Sequence, residues 1–246
     1  MRNLRFEMSY DGTNYHGFQI QKEDITIEKI IKDAVFKLTG EEVDIIGCGR
    51  TDAGVHAIRY TFNFKTNCTI PCERFPLAFS TVLPNDITVW SCVEENEDFH
   101  SRFSAVKKTY KYIIYRGNLR NPFYDRYSYH FKIPVDVNKM REGAKKIEGE
   151  KDFKCFMAQG SPIKDTVRTV YSVDIKEKDN ILEIEVTGNG FLYNMVRIIV
   201  GTLLAVGTGR LTPSDIDAII EGKKRENAGM TVPPNGLFLK EVYYGK

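Results

Sequence analysis

Hydrophobic residues alternate with polar ones at the start of the chain and then change to helical spacing. In residues 3–10, Leu, Phe and Met occupy every second position, which predicts a half-buried strand. Thr26 can cap a helix in which apolar residues recur at i, i+3 and i+4 until Gly40 ends it. Two strands are predicted next, at 43–48 and 58–64. A helix at 71–82 and a strand at 87–93 follow them. This part of the chain therefore has the element order β-α-β-β-α-β.

The same element order returns after residue 104, although the residues themselves do not repeat. An additional helix at 212–222 has Thr212 as its cap and Pro213 at its first position. The other elements are a strand at 106–116, a helix capped by Asp136, strands at 167–175 and 182–186, a helix at 191–206 and a last strand at 236–244.

Two rounds of this order predict an α/β fold of the α+β kind, built from two ferredoxin-like halves with antiparallel sheets. We place the halves at residues 1–104 and 105–246. No linker rich in Pro, Gly or Ser separates them, so they are predicted to dock on each other. The cleft between two such halves is then the expected place for an active site.

Composition limits the class of protein. The 246 residues are 42% hydrophobic, which is enough for a substantial core, and the net charge of +2 excludes little. The five cysteines are an odd number without paired spacing, and no basic and apolar leader precedes Leu4, so we expect a reduced, cytoplasmic protein. Asn194 and Arg197 interrupt the longest apolar stretch, which is shorter than the ~20 residues of a membrane span.

The distribution of charge is more informative than its sum. Between residues 101 and 126, seven Lys and Arg residues face the single acid Asp125, and six aromatic residues lie among them. Cations that neutralise phosphates, beside rings that stack on bases, are typical of a nucleic-acid surface. A strand with one solvated face has the same composition, and both interpretations stay open at this point.

Most familiar catalytic motifs are missing. Cys68 and Cys72 lack a second pair and a nearby His, so no metal site is predicted. The Gly-Asn-Gly before Phe191 fits neither common phosphate-binding loop, so no nucleotide cofactor is expected. No nucleophile elbow is present, and Cys48 has no evident His and Asn partners.

The stretch GRTDAGVHA, residues 49–57, remains as a candidate for chemistry. It could be a tight turn in which Asp52 caps a backbone amide and Arg50 holds it by a salt bridge. Alternatively, Asp52 at a strand end presents a carboxylate that Arg50 keeps ionised in a dry pocket. An ionised, poorly hydrated carboxylate is a nucleophile.

Taken together, the motifs GRTDAGVHA, LPNDI, DFHSRFSAVKKTYKYIIY, GNGFLYNMVR and PPNGLFLKEVYY resemble, in order, the signature blocks of the TruA family of tRNA pseudouridine synthases. The resemblance runs nearly end to end. It implies isomerisation of uridine to pseudouridine at positions 38, 39 and 40 of the tRNA anticodon stem-loop. It also implies a homodimer, no cofactor or metal, and two halves joined in one extended antiparallel sheet.

The resemblance further implies roles for single residues. Asp52 matches the catalytic nucleophile and Arg50 the arginine that pairs with it and helps to extrude the base. Tyr110 matches the tyrosine that stacks on the target base and is a candidate proton acceptor, and Arg197 matches an arginine that pairs with the aspartate. Further substrate contacts are expected from His56, for which a structural role in the loop is the alternative, and from Lys107, Lys108, Lys111 and Arg168.

Several positions depart from the family pattern. Ile58, Arg59 and Tyr60 stand where relatives usually have a Gly-Gln pair, Ser80 replaces a common Asn, and Glu28 replaces a frequent Gln. None of these changes removes a catalytic group. They are compatible with a paralogue that modifies other uridines than the family does. The alternative to an enzyme is a ferredoxin-like module that binds RNA without catalysing a reaction.

Overall fold

The computed structural model describes residues 1–245, which contain ten strands and six α-helices. The mixed α/β class predicted from the sequence is confirmed. The chain divides into two compact units, which are residues 1–106 with 238–245, and residues 107–237. Among residues 1–245, no helix combines the length and the hydropathy needed to cross a bilayer.

The first unit follows the predicted β-α-β-β-α-β order. Its sheet has the strand order β4-β1-β3-β10, with β2 beside β3. Antiparallel pairs join β1 to β3 and β4, whereas β3 and β10 run parallel. The elements are β1 (Arg2–Tyr10), α1 (Ile27–Thr39), β2 (Ile46–Gly47), β3 (His56–Thr66), α2 (Phe75–Ser80), β4 (Ile87–Glu95) and β10 (Leu237–Tyr244).

The alternation in the first strand produces the core of this unit. Leu4, Phe6 and Met8 are fully buried. The Phe6 ring stacks on Phe62 and Phe64 of β3, with centroids 5.0 and 4.9 Å apart. Because burying an aromatic side chain removes 150–250 Å² from water, this cluster fixes the register of β1 against β3.

The second unit is also a sheet covered by helices. Its strand order is β5-β9-β8-β7 and all of these pairs are antiparallel, whereas β6 pairs parallel with β5. The elements are β5 (Ala105–Tyr115), α3 (Pro122–Asp125), β6 (Tyr129–His130), α4 (Val137–Ile147), β7 (Gly149–Asp152), β8 (Val167–Lys178), β9 (Ile181–Gly188), α5 (Met195–Gly207) and α6 (Asp215–Gly222).

The structure departs from the predicted elements at a few places. The strand expected at 43–48 shrinks to two residues, because only Ile46 and Gly47 pair with β3. Helix α5 begins at Met195 instead of residue 191, because Asn194 is left-handed, with φ of 60°. The short elements α3, β6 and β7 have too few residues for a periodic pattern and were not predicted.

The division into units also differs from the boundary at residue 104. The last strand, which we assigned to the second half, belongs to the first unit from Phe238 onward. Phe238 and Leu239 pair in parallel with His56 and Ala57 of β3. Parallel pairing between segments so far apart in the chain leaves no mark in a local pattern, so the sequence could not reveal it.

Candidate active site

The loop that carries Asp52 is a tight turn at the start of β3. The Val55 N–H donates to the Asp52 carbonyl oxygen at 3.2 Å, and Gly54 has φ of 74°. A positive φ at the third residue of a turn favours glycine. The Asp52 side chain itself is half-buried. The sequence Asp-Ala-Gly-Val therefore fixes the backbone from which the carboxylate projects.

A second segment, residues 11–18, holds this turn by its backbone. The Gly54 N–H donates to the Tyr15 carbonyl oxygen at 3.2 Å, and the Phe18 N–H donates to the Thr51 carbonyl oxygen at 3.2 Å. Gly17 has φ of 84°, and a Cβ there would overlap the Thr51 carbonyl oxygen. A Cβ at Gly12 would likewise overlap the Val55 carbonyl oxygen. The two glycines let the segments approach more closely than any side chain allows.

Side chains hold the same loop from β1 and β3. The Tyr10 and Thr51 hydroxyls are 2.8 Å apart in a buried hydrogen bond. The Tyr60 hydroxyl donates to the Gly49 carbonyl oxygen at 2.5 Å. Because hydrogen bonds in a buried network must all be satisfied, they specify one conformation. The loop on either side of Asp52 is thus positioned before any substrate arrives.

The turn formed by the LPND sequence, residues 83–86, supports the segment 11–18. The Tyr15 hydroxyl donates to an Asp86 carboxylate oxygen at 2.6 Å, and the Asp11 N–H donates to the Asp86 carbonyl oxygen at 2.9 Å. Burial, and then the Asp86 carboxylate, raise the pKa of Tyr15 well above its ordinary value. Tyr15 therefore stays a neutral donor at physiological pH.

Arg50 and His56 lie in different surroundings within the first unit. Arg50 is exposed and forms no ion pair with any residue of the described chain, so its expected salt bridge to Asp52 is not made. His56 is 1% exposed, accepts the Gly12 N–H on Nδ1 at 3.0 Å and stacks on Phe238 at 4.7 Å. This burial fits the structural role of His56, because a phosphate contact needs an accessible ring nitrogen.

In the second unit, Tyr110 lies on β5 beside an aromatic neighbour. Its half-buried ring meets Phe191 edge to face, with centroids 5.1 Å apart and planes at 85°. Phe191 follows the end of β9, where the Asn189 N–H donates to the Thr169 carbonyl oxygen and Asn189 Oδ1 accepts the Thr169 N–H. Edge-to-face contact is a favourable aromatic geometry, so Phe191 fixes the plane of the Tyr110 ring.

The lysines of β5 do not form one surface. Side chains alternate along a strand, so Lys108 shares the face of Tyr110, whereas Lys107 and Lys111 lie on the opposite face. Lys111 Nζ lies 3.5 Å from Glu183 Oε2. The half-buried Arg168 donates to the carbonyl oxygens of Asp165 and Val167. Part of the basic segment is therefore engaged within the protein.

Arg197 lies in the first turn of α5, where its guanidinium is held in a fixed plane. Its Nε donates to the Val232 carbonyl oxygen at 2.7 Å, and its Nη1 donates to Asn194 Oδ1 at 2.6 Å. Two directed bonds exploit the rigid fork of the guanidinium. Asn194 accepts this bond from the left-handed conformation, which Asn tolerates better than most residues.

Sequence reasoning did not single out four residues that position these groups. They are Tyr15, Asp86, Phe191 and Asn194, and the last three lie inside the motifs quoted above. The left-handed Asn194 carries a signal that could have been read, since Asn before an apolar helix is a common cap. The partners of Tyr15 and Phe191 lie far away in sequence and gave no local signal.

A family model described as tRNA pseudouridine synthase matches residues 8–104 and 144–245, which include Asp52 and Arg197. The chain belongs to the tRNA pseudouridine synthase family. Members of this family isomerise uridine to pseudouridine in tRNA, so the chain is an enzyme and the resemblance in sequence is confirmed.

Relatives of this synthase match it along its whole length. The tRNA pseudouridine synthase A of Caldicellulosiruptor bescii is 48% identical over 244 residues, which are 99% of this chain and 100% of the relative. The tRNA pseudouridine synthase A 2 of Clostridium tetani is 48% identical over 245 residues, 99% of each chain. A chain in the crystal structure of a Cbf5–Nop10–Gar1 complex aligns with TM-score 0.40 and 12% identity, over 96% of this chain and 57% of that chain.

The departures from the family pattern serve local structure in this synthase. Tyr60 supports Gly49, as described above, and Glu28 accepts the Ile20 N–H at 2.9 Å. Arg59 bonds to Glu7 and Glu241 at 3.2 and 2.9 Å and lies over the Trp90 ring. Ser80 bonds to a carbonyl within its own helix. These four altered side chains thus have partners in the first unit, whereas Ile58 is 41% exposed.

Proposed function

We propose that this synthase modifies uridines in the anticodon stem-loop of tRNA through Asp52 acting as a nucleophile. The observation that carries the proposal is the half-buried Asp52 carboxylate on a turn fixed by backbone bonds to residues 11–18. A nucleophile held in one position loses little entropy when it attacks, which lowers the barrier.

The chemistry needs only groups that this chain contains. The N1–C1′ bond of uridine breaks, a C5–C1′ bond forms, the C5 proton leaves and N1 gains a proton. The reaction is an isomerisation, so its atoms and electrons balance without an oxidant or a cofactor. Asp52 captures either C1′ or C6 while the uracil turns over, and is released at the end.

The other residues act on the base and on the charge. Tyr110 stacks on the extruded uracil and offsets part of the few kcal/mol that unstacking costs. Arg197, held by Asn194 and Val232, pairs with the Asp52 carboxylate and keeps it ionised. The exposed Arg50 reaches into the helix to displace the base, a role that suits an arginine without an ion pair in the described chain.

The choice of the anticodon stem-loop, the homodimer and the cytoplasmic location belong to the same proposal. They are what the resemblance of the motifs implies, and the relatives named tRNA pseudouridine synthase A support tRNA as the substrate. Phosphate contacts from Lys108, on the same face of β5 as Tyr110, and from Arg168 complete the proposed substrate surface, with His56 limited to holding the loop. Lys107 lies on the opposite face of the strand and is not part of this surface.

Release of tritium from C5-labelled uridine tests the site choice. We expect release from a transcript of the anticodon stem-loop, and a stepwise loss as uridines 38, 39 and 40 are replaced by cytidine. A stem-loop from another tRNA arm, with the same loop length, is the control. Release from the control arm but not from the anticodon arm would contradict the choice of site and would indicate a paralogue with another target.

Tyr110 provides a prediction that separates its ring from its hydroxyl. Tyr110→Phe keeps the stacking face and the contact with Phe191, but removes the proton acceptor. If the hydroxyl takes the C5 proton, kcat falls by about 10²-fold with KM unchanged, the usual size of general-base catalysis. Tyr110→Leu should raise KM as well, because the ring is lost. Wild-type kcat in Tyr110→Phe would assign the proton to another base.

A further inference from the structure

The turn between β5 and β6 exposes large apolar side chains that contribute little to the stability of the fold. Phe123 is 87% exposed and Leu119 is 81% exposed. The Phe123 ring contacts no other aromatic ring or cation of residues 1–245. We call residues 119–124 the aromatic turn. A nearly bare phenyl ring does not stabilise the fold, since it removes almost no apolar area from water.

The aromatic turn is nevertheless held in one conformation. The Tyr124 ring stacks on Tyr115, with centroids 4.9 Å apart and planes at 13°. Asn121 Oδ1 caps the helix α3 by accepting the Phe123 N–H at 3.0 Å. Asn235 Nδ2 donates to the carbonyl oxygens of Asp125 and Ser128 at 2.9 and 2.8 Å. A ring displayed on an anchored backbone costs little entropy when it binds a partner.

The charge beside Phe123 indicates an anionic partner. Arg120 has a side chain that is 77% exposed, and its nearest acid is the Asp125 carboxylate at 3.6 Å. A solvated pair of this kind contributes about 0–1 kcal/mol, so a phosphate can replace it. Arg116 is engaged by Glu177, whereas Arg120 lies on the aromatic turn itself, three residues before Phe123.

We propose that the aromatic turn binds an unpaired nucleotide of the RNA substrate, with Phe123 stacking on the base and Arg120 contacting a phosphate. The inference rests on the proposed function and adds a contact beyond the target uridine. The turn follows Tyr115, which is about 17 Å along β5 from Tyr110 at ~3.3 Å per residue. The nucleotide is therefore not the one that Tyr110 receives.

The experiment measures binding of an unmodified full-length tRNA transcript at several salt concentrations. Phe123→Ala should weaken binding by about 5- to 100-fold with no change in the salt slope, the range of one lost base stack. Arg120→Ala should lower the slope of log K against log salt by about 1. The matched controls are Phe36→Ala, an exposed ring in α1, and Arg210→Ala, an exposed cation after α5, and both should bind as wild type.

Two results would overturn the inference. One is unchanged affinity in both variants. The other is a sedimentation coefficient of the RNA-free protein that falls in Phe123→Ala and not in Phe36→Ala, which would assign the turn to a second copy of the chain. Wild-type tritium release is measured on the same transcript. If the wild type releases no tritium, the proposed function is wrong. If the wild type releases tritium normally and both variants bind as the wild type does, only the inference about the aromatic turn is wrong.

Discussion

Asp52→Asn is expected to abolish pseudouridine formation while tRNA binding survives. The amide has the shape of the carboxylate but is not a nucleophile at neutral pH, so the covalent step is lost. We expect kcat to fall by about 10⁴-fold or more, in the range seen when a nucleophile is removed from other enzymes. Tritium release from C5-labelled tRNA measures the loss, and equilibrium binding of the same transcript measures what remains.

The structure explains why this variant should keep its fold. The turn at Asp52 is held by the Val55 and Gly54 N–H groups and by the Thr51 hydroxyl, and none of these bonds needs the carboxylate. Asp44→Asn, at an exposed acid of the same unit, is the matched control and should be fully active. Normal tritium release by Asp52→Asn would remove the nucleophile from the proposed mechanism.

Arg197→Lys is expected to have the second largest effect. A lysine ammonium is a point charge and cannot hold the planar arrangement that joins Arg197 to Val232 and Asn194. We expect kcat to fall by about 10²- to 10³-fold, the cost of removing one oriented donor from an active site. Arg210→Lys, at an exposed position after α5, is the control and should leave kcat unchanged.

Asn194 allows orientation to be separated from backbone strain. Asn194→Gly keeps the left-handed conformation but removes the acceptor for Arg197 Nη1, so kcat should fall by about 10-fold while the free energy of unfolding changes by less than about 1 kcal/mol. Asn194→Asp keeps an acceptor for Arg197 Nη1, so its kcat should stay close to that of the wild type and above that of Asn194→Gly. Equal kcat in wild type and Asn194→Gly would show that the bond does not position the guanidinium.

Much of the fold follows from local patterns. The alternation in β1 and the helical spacing of α1, with Gly40 left-handed at its end, are read within a few residues and were confirmed. The apolar run of α5 was also predicted, although its start moved by four residues because Asn194 is left-handed. A pairing as short as β6 joins only two residue pairs and has no pattern of its own, and the pattern at 43–48 overstated the length of β2.

The candidate residues for the chemistry were chosen by type and motif, but their surroundings were not predicted. Sequence placed Asp52 on a glycine-flanked turn, whereas only the structure shows that Gly12 and Gly17 let a distant segment hold that turn by its backbone. Among residues 1–245, Arg50 forms no ion pair, and Lys111 is paired with Glu183. Ion pairs form with whichever charge the fold brings within about 4 Å, and sequence spacing does not fix that distance.

By itself, the sequence determined the order of elements, the family and the identity of the candidate nucleophile. The tertiary structure decided which segments hold the Asp52 turn, which plane the Arg197 guanidinium adopts, and that the last strand lies beside β3. The physical reason is range. Hydrophobic periodicity acts over the few residues of one turn or one pleat, whereas the hydrogen bond from Tyr15 to Asp86 joins positions 71 apart and exists only once the chain has folded.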